Sequence, residues 1–295
     1  MLARLLRRML LSQAVIGAVA AYLLCRHSPW AALAGAVLLP FLVMTLVDTV
    51  SALVSRAAGE PLHFWLRSVV GEYIAGFQVF LFRQPWTTQP PVLLPATGGT
   101  PQVPVVLVHG YMCNHRIWDD MADALRAQGH AVFAVNLEPV FSSIDRYAPV
   151  VDAAVVALCA HSGTDKVALV GHSMGGLAIR AWMRAQGTAR VAQVITLGTP
   201  HAGTKMARGA HTPNGQQMLW RSRWLDELAA GESDATRALV RIAITPQDNI
   251  VFPQRAQVLQ GITPTVFDGI GHVQMCLHRP VIDWTLAQLR EVQVP

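Results

Sequence analysis

Three patterns of apolar residues follow one another along this chain of 295 residues. The first is a pair of runs without any charge: Met9–Cys25, 17 residues, and Trp30–Val47, 18 residues, the second continuing apolar past Asp48 to Val54. Arg26-His27-Ser28-Pro29 separates them, and Met1–Arg8 precedes them as a short basic arm. Each run is near the minimum length for a bilayer span. Neither has the polar face that a helix in a water-soluble core turns to solvent. The expectation is a membrane-anchored helical hairpin over residues 1–56. A signal peptide is the rival for the first run, but no small-x-small cleavage site with a polar mature start follows it.

The second pattern is helical. Over Pro61–Phe82, Leu62, Leu66, Val69, Tyr73 and Phe80 recur at three- and four-residue steps, as do Trp65, Val70, Ile74, Phe77 and Leu81, with Arg67 and Glu72 interrupting them. This predicts an amphipathic helix, lying either at a membrane surface or against the domain that follows. Gln84–Pro104 is rich in proline and glycine and reads as a linker with an edge strand at most, so residues 57–103 join the anchor to the rest.

The third pattern fills residues 104–295. Short apolar strands at Val105–Val108, Ala131–Val135, Val167–Val170, Val194–Leu197, Arg241–Thr245 and Thr265–Phe267 alternate with helices at Ile117–Gln128, Ile144–His161, Met174–Ala185 and Pro280–Arg290. Such alternation predicts an α/β fold with a mostly parallel sheet and helices on both faces. It stops over residues 203–239, a small insert holding Met218, Trp220, Trp224 and Leu225.

Composition changes this picture in two places. The formal charge is +5, but residues 1–56 hold five arginines against Asp48 alone, which leaves 18 basic and 17 acidic residues for the remainder. The excess belongs to the anchor, so a nucleic-acid partner is not expected. Cys25, Cys113, Cys159 and Cys276 are scattered without paired or metal-like spacing, which fits free thiols in a reducing compartment. No metal cluster, phosphate loop or dinucleotide fingerprint occurs, and no metal or cofactor is expected.

The candidate chemistry centres on Gly171-His172-Ser173-Met174-Gly175-Gly176, a Gly-x-Ser-x-Gly between a strand and a helix. That context is a nucleophile elbow, whose turn leaves no room for side chains at its glycines. Serine needs a base to take its proton, and the base needs a partner to fix its tautomer. Asp248, after the strand Arg241–Thr245, fits the acid, and His272, after the last strand, fits the base. Asp268 lies in the same loop as His272, and Asp226, Glu227 and Asp234 lie in the insert, which is the wrong place. The oxyanion hole draws one amide from Met174 and a second from the loop His109–Met112, with Tyr111 chosen over Met112. His172 is expected to pack beside the nucleophile and His109 to orient the oxyanion loop. His201, His211 and His278 are expected at the surface or at caps.

From about residue 103 onward the chain resembles the bacterial lipase and esterase branch of the α/β-hydrolase superfamily. The likeness rests on His109-Gly110-Tyr111 with Asn114 and Trp118, on Gly171–Gly176, on Leu197–Thr204, on Gln217-Met218 through Trp224-Leu225, on Asp248–Val251 with Pro253, and on Gly271-His272-Val273. The resemblance implies an ester hydrolase acting on acyl lipids, a triad of Ser173, Asp248 and His272, and an insert capping the acyl pocket through Met218, Trp220, Trp224 and Leu225. An acyltransferase or thioesterase would use the same acyl-enzyme, and a non-catalytic membrane scaffold is the reading from another class. The arginines flanking the hairpin place both termini in the cytoplasm of a bacterial inner membrane, with a periplasmic enzyme as the alternative.

Overall fold

A computed structural model describes residues 1–292. Two long helices open it, α1 (Leu2–Leu24) and α2 (Pro29–Ser55). Ser28 caps α2 by accepting from the Ala31 amide, and Pro29 occupies the first turn, where its missing N–H is not needed. Both helices outrun the uncharged stretches of the sequence, α1 taking in Arg4, Arg7 and Arg8 and α2 taking in Asp48. They cross at Gly17 and Gly35, where a Cβ on Gly17 would stand 2.1 Å from the Gly35 carbonyl oxygen. Such backbone approach is how helices associate where no hydrophobic effect drives them together. The outward residues are apolar: Leu11, Val15, Val19 and Leu23 on α1, and Leu33, Val37, Leu42 and Leu46 on α2 are all exposed.

Helix α3 (Leu62–Gly76) continues as a π-helical turn over Phe77–Arg83. Its orientation inverts what a water-soluble amphipathic helix does. Leu62, Leu66, Val70 and Ile74, one apolar stripe at four-residue steps, face outward, while Ser68, Glu72, Ala75 and Gly76 face the protein. Small and polar residues on the protein side allow close approach to α2 and to the domain.

The rest is a seven-stranded sheet in the order β1-β3-β2-β4-β5-β6-β7. The strands are β1 (Leu93–Leu94), β2 (Val105–Val108), β3 (Val132–Ala134), β4 (Val167–His172), β5 (Val191–Leu197), β6 (Val240–Ile244) and β7 (Thr265–Val266). Only β1 pairs antiparallel, on the edge beside β3; every other pair is parallel. Strand residues alternate between two cores. Val106, Val108, Leu169 and Val194 pack with α5 (Ala148–Ser162) and α6 (Met174–Gln186). Val105, Leu107, Val170 and Ile195 pack with α4 (Asp119–Ala127) and α10 (Arg279–Arg290), joined by Ala75 and Val79 from the N-terminal segment.

The chain leaves β2 for β3 on one side and returns to β4 on the other. Diverging connections open a crevice at the carboxyl ends of β2 and β4. The expected helices Ile117–Gln128 and Ile144–His161 each begin with a 3-10 turn, at His115–Trp118 and Ile144–Tyr147. The insert forms three short helices, α7 (Pro213–Gln217), α8 (Arg223–Ala230) and α9 (Asp234–Ala238).

The hairpin stands on the domain with both feet. Leu2 and Leu6 of α1 are buried, and the N-terminal amine and the Leu2 amide meet Glu138, beyond β3. At the end of α2, Ser51 accepts from Asn249 Nδ2 at 3.1 Å and the Ser55 carbonyl from Gln254 Nε2 at 2.8 Å, both beyond β6. The two footholds are loops leaving the carboxyl ends of strands, the end of the sheet that carries the crevice.

Candidate active site

At the elbow, β4 ends at His172, Ser173 takes φ 56° and ψ −129°, and α6 starts at Met174. A non-glycine residue at positive φ is strained by about 1–3 kcal/mol and persists only where its surroundings hold it. Here the Ser173 amide donates to Leu197 O at 2.9 Å, and the Gly176 amide donates to Ser173 O at 3.1 Å. Both expected glycines are sterically required: a Cβ on Gly175 would stand 2.0 Å from Val108 O, and one on Gly171 2.6 Å from the Gly176 nitrogen.

The loop after β2 lies against the serine. A Cβ on Gly110 would stand 2.7 Å from Ser173 Cβ and 3.2 Å from its Oγ. Tyr111, next in the loop and half-buried, follows directly, and Met112 adopts φ 56°. His109 fixes this loop as expected: its Nδ1–H donates to Gly110 O at 2.9 Å and its Nε2 accepts the Leu137 amide at 3.0 Å. Burial lowers its pKa to about 4, so the ring is neutral and keeps this tautomer.

Asp248 and His272 are brought together from the loops after β6 and β7. Nδ1 of His272 donates to Asp248 Oδ2 at 2.7 Å, with both side chains buried. The other carboxylate oxygen, Oδ1, accepts the Ile250 and Val251 amides at 2.8 and 2.7 Å, which locks the acid in place. Asp268, the rival acid, is outside this pair. Burial lowers the His272 pKa most, but the charge and hydrogen bond of Asp248, with the charge of Glu72, outweigh it and the net is raised. With Nδ1 committed, Nε2 is the free nitrogen.

His172 packs beside this pair. Its ring centre is 4.6 Å from that of His272, and its Nε2–H donates to the His272 carbonyl at 3.0 Å. Burial holds its pKa well below the ordinary value, so it adds no charge beside the base. His201 departs from expectation. It is buried, with Nε2 3.0 Å from Thr196 Oγ1 and Nδ1 facing Arg180 at 3.4 Å. Arg180 in turn pairs bidentately with Glu232, at 2.6 and 2.9 Å. His201 serves to fill and pin the interior where α6 meets the insert. His211 is exposed and His278 half-buried at the start of α10.

Of the four expected cap residues, Met218 and Leu225 are buried in the same core as Met174, and Asn214 Nδ2 of the insert lies 3.6 Å from Met174 Sδ. Trp224 is half-buried, donating to Asp145 at 2.9 Å, and Trp220 is half-buried beneath Arg221. The insert therefore rests directly on the first residue of the helix that follows the elbow. Among the described residues no group of histidines, cysteines or carboxylates is arranged to hold a metal.

The family profile described as the alpha/beta hydrolase fold matches residues 103–238. Over those residues the chain has the α/β-hydrolase fold, and the strand order of the sheet agrees with it. The chain is 35% identical over 113 residues to triacylglycerol lipases of Pseudarthrobacter phenanthrenivorans and Burkholderia plantarii, a stretch that is 35% of the chain. It covers 35% and 31% of those two proteins, so the chain spans about a third of the length of the curated relatives it matches. Among solved structures, mature lipase BlEst2 of Bacillus licheniformis superposes with a TM-score of 0.59 at 16% identity, over 68% of this chain and 99% of that one. Aspergillus fumigatus lipase B superposes with a TM-score of 0.57 at 18% identity, over 68% and 56%. These two likenesses carry the fold.

Proposed function

We propose that this chain is a membrane-anchored serine ester hydrolase that cleaves acyl esters through an acyl-enzyme on Ser173. The observation that carries the reading is the loop of Gly110 pressed against a strained, elbow-borne serine, whose preceding residue His172 packs on the His272 of a buried Asp248–His272 pair. His272 Nε2 takes the proton of Ser173 Oγ as the oxygen attacks the ester carbonyl. Asp248 keeps the imidazole in the tautomer that leaves Nε2 bare and stabilises the cation that forms. The amides of Met174 and Tyr111 receive the negative charge on the former carbonyl oxygen. His272 returns its proton to the leaving alcohol, and a water activated by the same imidazole releases the acid.

The hairpin supports an apolar, membrane-derived substrate. α1 and α2 are long and apolar enough to cross a membrane. Their feet stand at the carboxyl-end loops, so the site opens on the side from which the hairpin projects. The exposed stripe Leu62, Leu66, Val70 and Ile74 extends the apolar surface at that end. A substrate partitioned into the bilayer would reach Ser173 without crossing bulk water, and the insert would contribute Met218, Trp220, Trp224 and Leu225 to the acyl wall. Arg4, Arg7 and Arg8 lie on the same side of the hairpin as the domain, which favours a cytoplasmic site. Hydrolysis of esters of graded chain length by the full chain in micelles tests the reading: hydrolysis of esters by the wild type and none by Ser173→Ala support it. Equal rates in both proteins would contradict it.

A further inference from the structure

We propose that Glu72, on helix α3, is a positioning residue for His272: its carboxylate grips the two backbone amides that follow the histidine and so fixes the loop presenting the imidazole. The inference rests on the reading of His272 as the general base.

Glu72 is buried, only 4% exposed. Burying a carboxylate is costly unless hydrogen bonds replace its water. Both oxygens are satisfied by the same short segment: Oε1 accepts the Val273 amide at 2.9 Å and Oε2 the Gln274 amide at 3.0 Å. Those amides open the 3-10 turn Val273–Cys276, whose preceding residue is His272 itself. A carboxylate across two otherwise unpaired amides at the start of a helical turn is a capping arrangement, here supplied from 201 residues away.

The backbones are shaped for this contact. A Cβ on Gly271 would stand 2.4 Å from Glu72 Oε2 and 2.7 Å from Glu72 Cβ. A Cβ on Gly71, the residue before Glu72, would run into the Gln274 side chain at 2.2 Å. Gln274 Oε1 meanwhile accepts the Gly271 amide at 3.1 Å, closing the loop on itself. A second strut runs from α2. The His272 amide donates to Asn249 Oδ1 at 3.2 Å, and Asn249 Nδ2 donates to Ser51 Oγ at 3.1 Å. Three consecutive amides, of His272, Val273 and Gln274, are thus held by groups that belong to the N-terminal segment or are tied to it. The hairpin and α3 are part of the scaffold of the base.

The carboxylate also acts through charge. The groups facing the His272 ring are Asp248 from the loop after β6, Glu72 from α3 and neutral His172 from β4; Asp48 of α2 lies beyond Glu72. Burial raises the Glu72 pKa above the ordinary carboxylate range, while the Val273 and Gln274 amides and the charge of His272 favour the ionised form; ionised, Glu72 adds a second negative charge on the side of the imidazolium that forms when Ser173 loses its proton. Replacing it with glutamine removes that charge and leaves one amide without an acceptor, since a carboxamide has a single oxygen. The imidazole then binds its proton less tightly, and the base stays free at lower pH.

The test compares full-length wild type, Glu72→Gln and Glu72→Asp in detergent micelles, reading kcat and KM on a short soluble ester across pH. The His272 ring is titrated by NMR with histidine-labelled protein, its signal assigned by its loss in His272→Gln. Glu72→Gln is expected to lower kcat about tenfold to a hundredfold with KM little changed, as a small misplacement of a reacting group does. Its acid limb and the His272 titration move together to lower pH. Glu72→Asp keeps the charge at a shorter reach, so kcat falls while both titrations stay near wild type. A folded Glu72→Gln with wild-type kcat and an unmoved His272 titration would overturn the proposal. So would a loss of thermal stability alone, without change in kcat or in the titration. An inert wild type would overturn the ester-hydrolase reading instead, and the NMR titration would still decide whether Glu72 acts on His272.

Discussion

The α-carbon of Gly110 approaches Ser173 so closely that a Cβ would stand 2.7 Å from the serine Cβ. The loop that carries Tyr111, the proposed oxyanion donor, is therefore in contact with Ser173, and its glycine has no substitute. Gly110→Ala is expected to push the loop off the elbow and cut kcat about a hundredfold or more, the scale for losing one oxyanion donor. Far-ultraviolet circular dichroism should stay as in wild type. An alanine variant with undiminished kcat would remove Tyr111 from the oxyanion hole.

The elbow was legible in the sequence because all of its determinants lie within a dozen consecutive residues: an apolar strand, glycines at 171 and 175, and a helix. Asp248 and His272 were legible because each falls in the loop after a strand, where the topology must place them. Glu72 was not. Its partners are 201 and 202 residues away, and in the sequence it is only one of two charges interrupting an amphipathic pattern. The visible signal was the row Ser68, Glu72, Ala75 and Gly76 on one face, which reads as a close-packing face only once the stripe Leu62, Leu66, Val70 and Ile74 is free to face outward. The sequence points His201 to the surface or a cap for a similar reason, since nothing local announces the buried Arg180–Glu232 pair beside it.

The titration of His272 fixes the acid limb of activity. Free imidazole titrates near about 6.5, and in the folded protein His272 is raised above its ordinary value despite its burial. The base works only when neutral, so kcat/KM should fall as pH drops through a value higher than that of free imidazole. The same raised value means that the Asp248–His272 ion pair contributes stability fully below the unfolded pKa and loses it as pH rises through the folded one. A pH–rate profile on a non-ionising ester checks the first statement, and an acid limb below the free-imidazole value would contradict it.

The Arg180–Glu232 pair ties α6, the helix behind the nucleophile, to the insert. Both side chains are buried and bonded twice. Glu232→Ala leaves a buried guanidinium without its anion, and breaking one side of such a pair costs about 3–5 kcal/mol. Denaturant unfolding in micelles should register most of that loss, whereas a change below about 1 kcal/mol would class it with exposed pairs.

Trp220 and Trp224 are the half-buried members of the insert, above a core that already holds Met218 and Leu225. Changing both tryptophans to alanine should alter preference among long-chain esters more than activity on acetate esters, since a short acyl group does not reach the insert. Rates that fall equally for all chain lengths would make the insert purely structural.

Ser173 is proposed as the nucleophile of a working acyl-transfer site. Fluorophosphonate labelling of the full chain, followed by peptide mass spectrometry, tests it most directly. The expected adduct is a single phosphonyl group on the peptide containing Ser173, absent from Ser173→Ala and slowed on the order of 10⁴-fold in His272→Ala. Undiminished labelling of Ser173→Ala, or an adduct elsewhere in the wild type, would contradict it.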